Sequence, residues 1–171
     1  MTKLTKILAM LLLAASCSFA NWLGGTSEPE NTKKIDGKVF YQITTPEELA
    51  WFAVQVNSGK TTINAQLAND IVLWNTEVTS TSGTTRWKAI GDTSTRAFDG
   101  VFDGNGHKIS GLYVHDTLAA NADSISRGLF GVVGENGVVK NLSVDNAYVY
   151  ARVDSTKLLL SGKSSNISTI C

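Results

Sequence analysis

Four aspartates in this 171-residue chain are candidate ligands for a metal ion. Asp99 and Asp103 lie in a glycine-rich stretch, and Asp116 and Asp123 follow in a polar segment. Hard cations such as Ca²⁺ take several carboxylate and carbonyl oxygens, so these acids invite a calcium hypothesis. The run Asp103-Gly-Asn105 lacks the further acids of a calcium loop, and both residue types also cap ordinary turns. We therefore predict no metal and no other cofactor, with Asp99 and Asp103 as the metal candidates to test.

Neither histidine occupies a recognisable catalytic context. His107 follows a glycine-rich corner, whereas His115 precedes Asp116, which could orient it as a base. No serine or cysteine stands in a nucleophile motif such as G-x-S-x-G, and the zinc motif H-E-x-x-H is absent from the sequence. We therefore predict no catalytic residues and a protein that is not an enzyme.

Tryptophan offers a second kind of chemistry, because indole rings stack on sugar rings. Trp74 and Trp87 flank a threonine- and serine-rich loop at 75–86. These two residues are our candidate carbohydrate contacts. The polar loop at 116–127 is the second place where we expect a ligand to bind.

The first twenty residues are predicted to be a secretory signal. Lys3 and Lys6 precede the apolar run Ile7 to Ala15, which is too short to span a bilayer. Ser18-Phe-Ala20 fits the small-x-small cleavage pattern, so the processed chain would begin at Asn21. This predicts a secreted or cell-surface protein.

Cys17 permits an alternative. Ala14-Ala-Ser-Cys17 resembles a bacterial lipobox, which would make Cys17 a lipidation site and anchor the protein to a membrane, although the usual large apolar residue three places earlier is missing. If cleavage instead follows Ala20, Cys171 is the one remaining cysteine. An internal disulfide is then not expected, and stability must come from packing and backbone pairing.

The composition limits the partners. Apolar residues make up 43% of the chain, which is enough for a core. Without the first twenty residues the chain has 13 basic and 15 acidic residues, a net charge of −2. A nucleic-acid partner would require a basic face, so we expect none. We also expect no membrane span, and instead an extracellular glycan or a host or partner surface protein.

The clearest local signal is the start of a helix. Thr45 suits the N-cap, Pro46 suits the first helical position, and Glu48 completes a capping box. Apolar residues then recur at helical spacing, and Asn57-Ser-Gly59 ends the pattern. We predict a helix over 46–57 that covers the first turn of the fold.

Short strands are predicted around this helix. Ile35–Ile43 alternates weakly as a first strand, and 61–74 divides into two strands around Asn69-Asp70. Residues 98–114 are typical of a strand, a glycine-rich corner and a second strand, with a bend at Ser110-Gly111.

An internal repeat supports a stacked architecture. Gly100–Gly106 aligns with Gly131–Gly137 at an offset of 31, and Leu112–Val114 aligns with Leu142–Val144 at an offset of 30. Units of this size fit repeats that bury their apolar faces on their neighbours.

These residues also carry a family resemblance. The pattern Phe98-x-Gly-x-Phe-Asp-Gly-Asn-Gly-His-x-Ile-x-Gly-Leu112, followed by Gly128-Leu-Phe-Gly131, resembles the GLUG-type repeat of bacterial surface proteins. That repeat also occurs near metallopeptidases of the immunoglobulin-A-protease kind. The resemblance covers roughly 63–150. It implies an all-β fold, a short right-handed parallel β-helix (a solenoid) capped by the 46–57 helix, in an exported, often adhesin-like protein.

The predicted organisation has four parts. A signal peptide at 1–20 precedes a flexible lead-in at 21–34, the β-helix domain with its helix at 35–151, and a non-repeat tail at 152–171. The tail is interpreted as a truncated or frame-shifted end, or as a natural cap.

We predict a non-catalytic exported surface or adhesin-like module, on its own or as a fragment of a larger surface protein. The alternative is a carbohydrate-binding or carbohydrate-active protein of the polysaccharide lyase or hydrolase kind, which would need an acid or base cluster on one face.

Overall fold

The structure, a computed structural model, describes residues 21–80, 84–118, 125–153 and 167–168. Short strands dominate these residues, and one α-helix lies between the second and third strands. In chain order the elements are β1 (Thr32–Ile35), β2 (Lys38–Ile43), α1 (Pro46–Asn57), β3 (Asn64–Leu67), β4 (Ile71–Val72), a 3-10 turn (Ser94–Arg96), β5 (Val101–Asp103), β6 (Lys108–Ser110), β7 (Tyr113–Leu118), β8 (Ile125–Ser126), β9 (Val138–Lys140), β10 (Ser143–Asp145), β11 (Tyr148–Val153) and β12 (Ile167–Ser168).

The strands form four sheets. The largest has the order β1-β2-β3-β5-β9, a second has the order β10-β6-β4, and β11-β7 and β12-β8 form two-stranded sheets. Strands β1 and β2 are antiparallel, whereas the other strand pairs among the described residues are parallel. Sequence-distant segments therefore lie side by side with their side chains in register.

The antiparallel pair is a tight hairpin that the sequence interpretation missed. Asp36 and Gly37 have φ angles of 48° and 80°, the left-handed values that a two-residue hairpin turn requires. The segment Ile35–Ile43 is therefore not one strand, because this turn divides it. The polar lead-in predicted over 21–34 contains most of β1 and also the buried Trp22.

The expectation of an all-β fold built as a short right-handed parallel β-helix is wrong. The largest sheet combines antiparallel and parallel strands, and the described sheets do not close into a solenoid. A twelve-residue helix packs into the same core. The repeat match that favoured a solenoid rested largely on glycine- and asparagine-rich turns, which tight corners require in many folds.

Helix α1 is present with the bounds predicted from its capping box. The Thr45 hydroxyl accepts a hydrogen bond from the Glu48 N–H at 3.2 Å, and the Glu48 carboxylate accepts one from the Thr45 N–H, also at 3.2 Å. The same carboxylate accepts from the backbone and hydroxyl of Thr44 at 2.6 and 2.7 Å. The prediction that this helix caps a solenoid is wrong, because the described sheets form no solenoid. Its apolar face packs on the central core instead.

Four phenylalanines form the centre of that core. Phe52 of α1 lies 5.8 Å from the ring of Phe98 and 5.7 Å from that of Phe102. Phe130 lies 5.5 and 5.3 Å from the same two rings. Phe52, Phe98 and Phe102 are fully buried, so the helix and two separate parts of the chain share one apolar interior.

The glycine-rich stretch 98–114 forms the predicted strand, corner and strand. Strands β5 and β6 flank a corner in which Asn105 and Gly106 have positive φ angles of 54° and 81°. The predicted bend follows at Gly111, with φ of 81°. A Cβ at Gly111 would collide with the backbone of Trp74, so this glycine also permits a close approach between neighbouring segments.

The strands do not pair at the offsets of 31 and 30 residues that the sequence repeat predicts. Val101 pairs with Val138, an offset of 37, and Tyr113 pairs with Tyr148, an offset of 35. Gly137, not Gly131, occupies the place equivalent to Gly100. A Cβ at either Gly100 or Gly137 would meet a backbone carbonyl of the neighbouring segment, so close packing selects glycine at both.

Candidate functional site

The two predicted sugar-contacting tryptophans have different environments. Trp87 is only 5% exposed, and its indole N–H donates to the Leu129 carbonyl at 3.1 Å. Its ring also lies 5.6 Å from the ring of Trp22, so Trp87 is a core residue and its face is not available to a sugar. Trp74 is half-buried and keeps part of its surface accessible.

Asp103 stabilises the glycine-rich corner at 103–106 by hydrogen bonding. Its carboxylate accepts hydrogen bonds from the Asn105 N–H at 2.9 Å and from the Asn141 side-chain amide at 3.0 Å, and Lys140 lies 3.5 Å away. Burial raises the pKa of Asp103, but these hydrogen bonds and the Lys140 charge outweigh it, so the pKa lies below its usual value. The carboxylate therefore ties the corner after β5 to the corner after β9.

Asp99 has a similar local role. Its carboxylate accepts a hydrogen bond from the Asn136 N–H at 3.1 Å and lies against Gly134. Across the part of the chain that the structure describes, no group of three or more His, Cys, Asp or Glu residues could hold a metal ion. Cys17 and Asp123 lie outside the described residues.

The histidines are held by neighbouring side chains. The Nδ1 atom of His107 lies 3.2 Å from the Asp70 carboxylate, which also accepts a hydrogen bond from the Lys108 N–H at 3.2 Å. That backbone hydrogen bond is the main reason why the pKa of Asp70 lies below its usual value. The Nδ1 atom of His115 lies 3.2 Å from the Tyr113 hydroxyl, and the Asp116 carboxylate pairs with Arg127.

A polar cleft opens where the two predicted binding loops meet the strands. It has a volume of about 350 Å³. Residues at the ends of 75–86 and 116–127, the two segments in which we predicted ligand-binding loops, line it. The second segment is only in part a loop, because Asp116 belongs to β7 and Ile125–Ser126 forms β8. The lining residues are Arg86, Trp87, Lys88, Ala89, Asp92, Asp116 and Arg127.

Ion pairs occupy the carboxylates of this cleft. The Asp92 carboxylate pairs with Lys88 and with Arg96, each at 2.9 Å. Asp116 pairs with Arg127. Each of these two carboxylates therefore has at least one cationic partner.

A second feature, which sequence reasoning missed, is an aromatic strip on β7 and β11. Tyr113 stacks on Tyr148 with ring centres 5.6 Å apart and planes inclined by 19°. His115 lies 4.9 Å from Tyr150 in an edge-to-face arrangement. We define the aromatic strip as Tyr113, His115, Tyr148 and Tyr150.

The strand register explains the strip. Tyr113 pairs with Tyr148 and His115 pairs with Tyr150, so the four rings share one face. Val114 and Val149 point the other way, into the core. The signal in the sequence was Tyr-Val-His at 113–115 and Tyr-Val-Tyr at 148–150, but it appears only at the offset of 35 that the structure reveals.

Comparison with known proteins gives two partial similarities. No family model matches the chain. A stretch of 63 residues is 44% identical to a protein of Evansella cellulosilytica named as a Gly-rich membrane protein, and covers 37% of this chain. A stretch of 79 residues is 35% identical to halomucin of Haloquadratum walsbyi, and covers 46% of this chain.

The chain spans only a small part of these curated relatives. The matched regions make up 7% of the first protein and 1% of the second. No solved structure matches the chain. Among the described residues, no helix is long and apolar enough to cross a membrane.

Proposed function

We propose that this protein is a non-catalytic, exported module that works at the cell surface, as a unit of the adhesin-like kind. The observation that carries this proposal is its similarity to short parts of two much larger proteins, one named as a membrane protein and one as a halomucin. The sequence agrees with it, because Lys3, Lys6 and the apolar run after them have the pattern of an export signal.

The surface of the module is suited to binding. The carboxylates of the cleft are paired with cations, whereas Arg86 of the same cleft has no ion-pair partner among the described residues. The aromatic strip exposes parts of His115, Tyr148 and Tyr150 along β7 and β11, above the buried Tyr113. Such surfaces bind by stacking and hydrogen bonding without a chemical step. An extracellular glycan or a partner surface protein is the ligand that this assignment calls for.

Carbohydrate binding is the second candidate function. Trp74 remains a candidate sugar contact because its ring is half-buried, whereas the buried Trp87 is not. The ion-paired Asp92 and Asp116 favour binding over hydrolysis or elimination, since those reactions need an acid or base free to exchange its proton.

Export is tested by expressing the full chain with a C-terminal epitope tag in a Gram-negative bacterium. We expect the tagged protein to leave the cytoplasm in a form that has lost residues 1–20, as measured by intact mass after fractionation. A Leu12→Arg variant should stay unprocessed in the cytoplasm, because a charge in the apolar run blocks its recognition.

Leu23→Arg is the matched control, because it makes the same substitution outside the apolar run at a residue that is 83% exposed. It should be exported normally. A Cys17→Ser variant separates the two anchoring schemes: release from the membrane fraction would identify Cys17 as a lipid anchor, and no change would identify cleavage after Ala20. Full-length, unprocessed wild-type protein in the cytoplasm would contradict the proposed function.

A further inference from the structure

Two cations extend the outward face of the aromatic strip on one side. The backbone N–H of Trp87 donates to the Tyr113 carbonyl at 2.8 Å. In a parallel arrangement of 86–88 and β7, this hydrogen bond places Trp87 beside Val114. Both side chains face the core. Because side chains alternate along an extended segment, Arg86 and Lys88 emerge on the opposite face, the one that carries Tyr113 and His115.

A third cation extends the face on the other side. Arg152 lies two residues beyond Tyr150 on β11, so it shares the outward side of that strand, and it is exposed. The outward positions of 86–88, 113–115 and 148–152 thus carry three cations and no carboxylate. The cleft that Arg86 and Lys88 also line contains Asp92 and Asp116, and both of these carboxylates are ion-paired. Lys88 pairs with Asp92, whereas Arg86 and Arg152 have no ion-pair partner among the described residues.

The spacing of these groups suits an extended ligand. Arg86 lies beside Tyr113, and Arg152 pairs in register with Thr117, two strands away from Arg86. Two strand spacings and four residues along the strand place the Cα atoms of Arg86 and Arg152 roughly 16 Å apart. The two arginines therefore stand at opposite corners of the strip. Between them lie the half-buried His115 and Tyr148 and the 38%-exposed Tyr150. Tyr113 is only 5% exposed, so its ring supports Tyr148 by stacking and is not itself available to a ligand.

We propose that this face, the aromatic strip with Arg86 and Arg152, binds a chain of acidic polysaccharide. Aromatic rings pack against the C–H faces of sugar rings, and guanidinium groups form charge-assisted hydrogen bonds with carboxylate or sulfate groups. The chain as a whole carries no net positive charge, so the cations of this face are a local feature. The inference rests on the proposed function, because the ligand is an extracellular polymer.

Binding is measured by biolayer interferometry with the purified protein against alginate, which carries carboxylates, dextran sulfate, which carries sulfates, and neutral dextran. We expect at least one acidic polymer to bind at least tenfold more tightly than dextran, and the stronger of the two identifies the anion. Tyr150→Ala should weaken that binding by about 3–10-fold, and Tyr150→Phe should retain it because the ring remains. Arg86→Gln and Arg152→Gln should each weaken it by a similar factor.

Lys38→Gln is the matched charge control, since Lys38 is an exposed cation on β2, away from the strip. It should leave binding unchanged. Equal loss from Lys38→Gln and the arginine variants would show unspecific charge attraction and overturn the proposal. Dextran bound as tightly as the acidic polymers, no binding by either of them, or tighter binding of a single-stranded oligonucleotide would also overturn it.

The export experiment keeps the two hypotheses separate. Surface delivery without binding to either acidic polymer removes the polysaccharide site and leaves the proposed function intact. Binding by a protein that stays unprocessed in the cytoplasm removes the proposed function instead.

Discussion

A Gly111→Ala substitution is expected to destabilise the protein by about 3–5 kcal/mol, one of the largest effects available from a single methyl group. Two costs combine at this position. The φ angle of 81° is left-handed, which an L-residue with a Cβ adopts only at a cost. The added Cβ would also lie well inside 3.0 Å of the Trp74 backbone, which cannot rotate away as a side-chain end could.

Gly106→Ala is the matched control for this prediction. Gly106 has the same φ of 81°, but no atom lies within 4 Å of the position that its Cβ would take. Only the conformational cost applies there, so we expect a loss of about 1–2 kcal/mol. Urea unfolding followed by tryptophan fluorescence measures both. Equal losses at the two glycines would show that the close approach between the Gly111 and Trp74 segments does not exist.

A Phe102→Ala substitution is expected to lower the free energy of unfolding by about 3–5 kcal/mol. Phe102 is fully buried, and its ring contacts Phe52 of α1 and Phe130 across the core. Removing it leaves a cavity between the helix and the largest sheet, which the paired backbone of β5 prevents from collapsing. The same unfolding experiment measures the loss.

Val54→Ala provides the comparison within α1. Val54 is 52% exposed on the helix surface, and alanine is the better helix former, so the change should stay within about 0.5 kcal/mol. A Phe102→Ala variant as stable as Val54→Ala would contradict the central position of the four phenylalanines.

The sequence predicts an element correctly where the interactions that form it lie within a few residues of one another. Thr45, Pro46 and Glu48 act on one another within a single helical turn, so the capping box predicted α1 with its observed bounds. The corner at 103–106 was equally clear, because its asparagine and glycine need positive φ angles whatever surrounds them. The Asp36-Gly37 hairpin had its signal as well, but the weak alternation of 35–43 favoured a single strand.

Long-range structure could not be predicted in the same way. Which glycine matches Gly100 depends on which backbone approaches it, and similar glycine-rich turns made Gly131 look equivalent when Gly137 is. The burial of Trp87 depends on Leu129, 42 residues away. The aromatic strip required the pairing of β7 with β11, because neither strand by itself distinguishes an outward tyrosine from a core tyrosine.

The partners of polar residues in the candidate site also depend on contacts that are distant in the sequence. Carboxylates near glycine-rich turns can bind cations, so the sequence makes Asp103 a candidate metal ligand. In the fold its Oδ1 atom accepts hydrogen bonds from Asn105 and from Asn141, which is 38 residues away. The sequence shows the carboxylate, but only the packing of neighbouring segments shows that Asn141 and Lys140 are its partners.

The central claim, that the protein is an exported module exposed at the cell surface, is tested most directly by labelling intact producing cells with a membrane-impermeant amine-reactive biotin. Exposed lysines such as Lys34 and Lys38 make the folded protein reactive. We expect the protein to be biotinylated in intact cells while a cytoplasmic marker is not. Labelling that occurs only after the cells are lysed would contradict it.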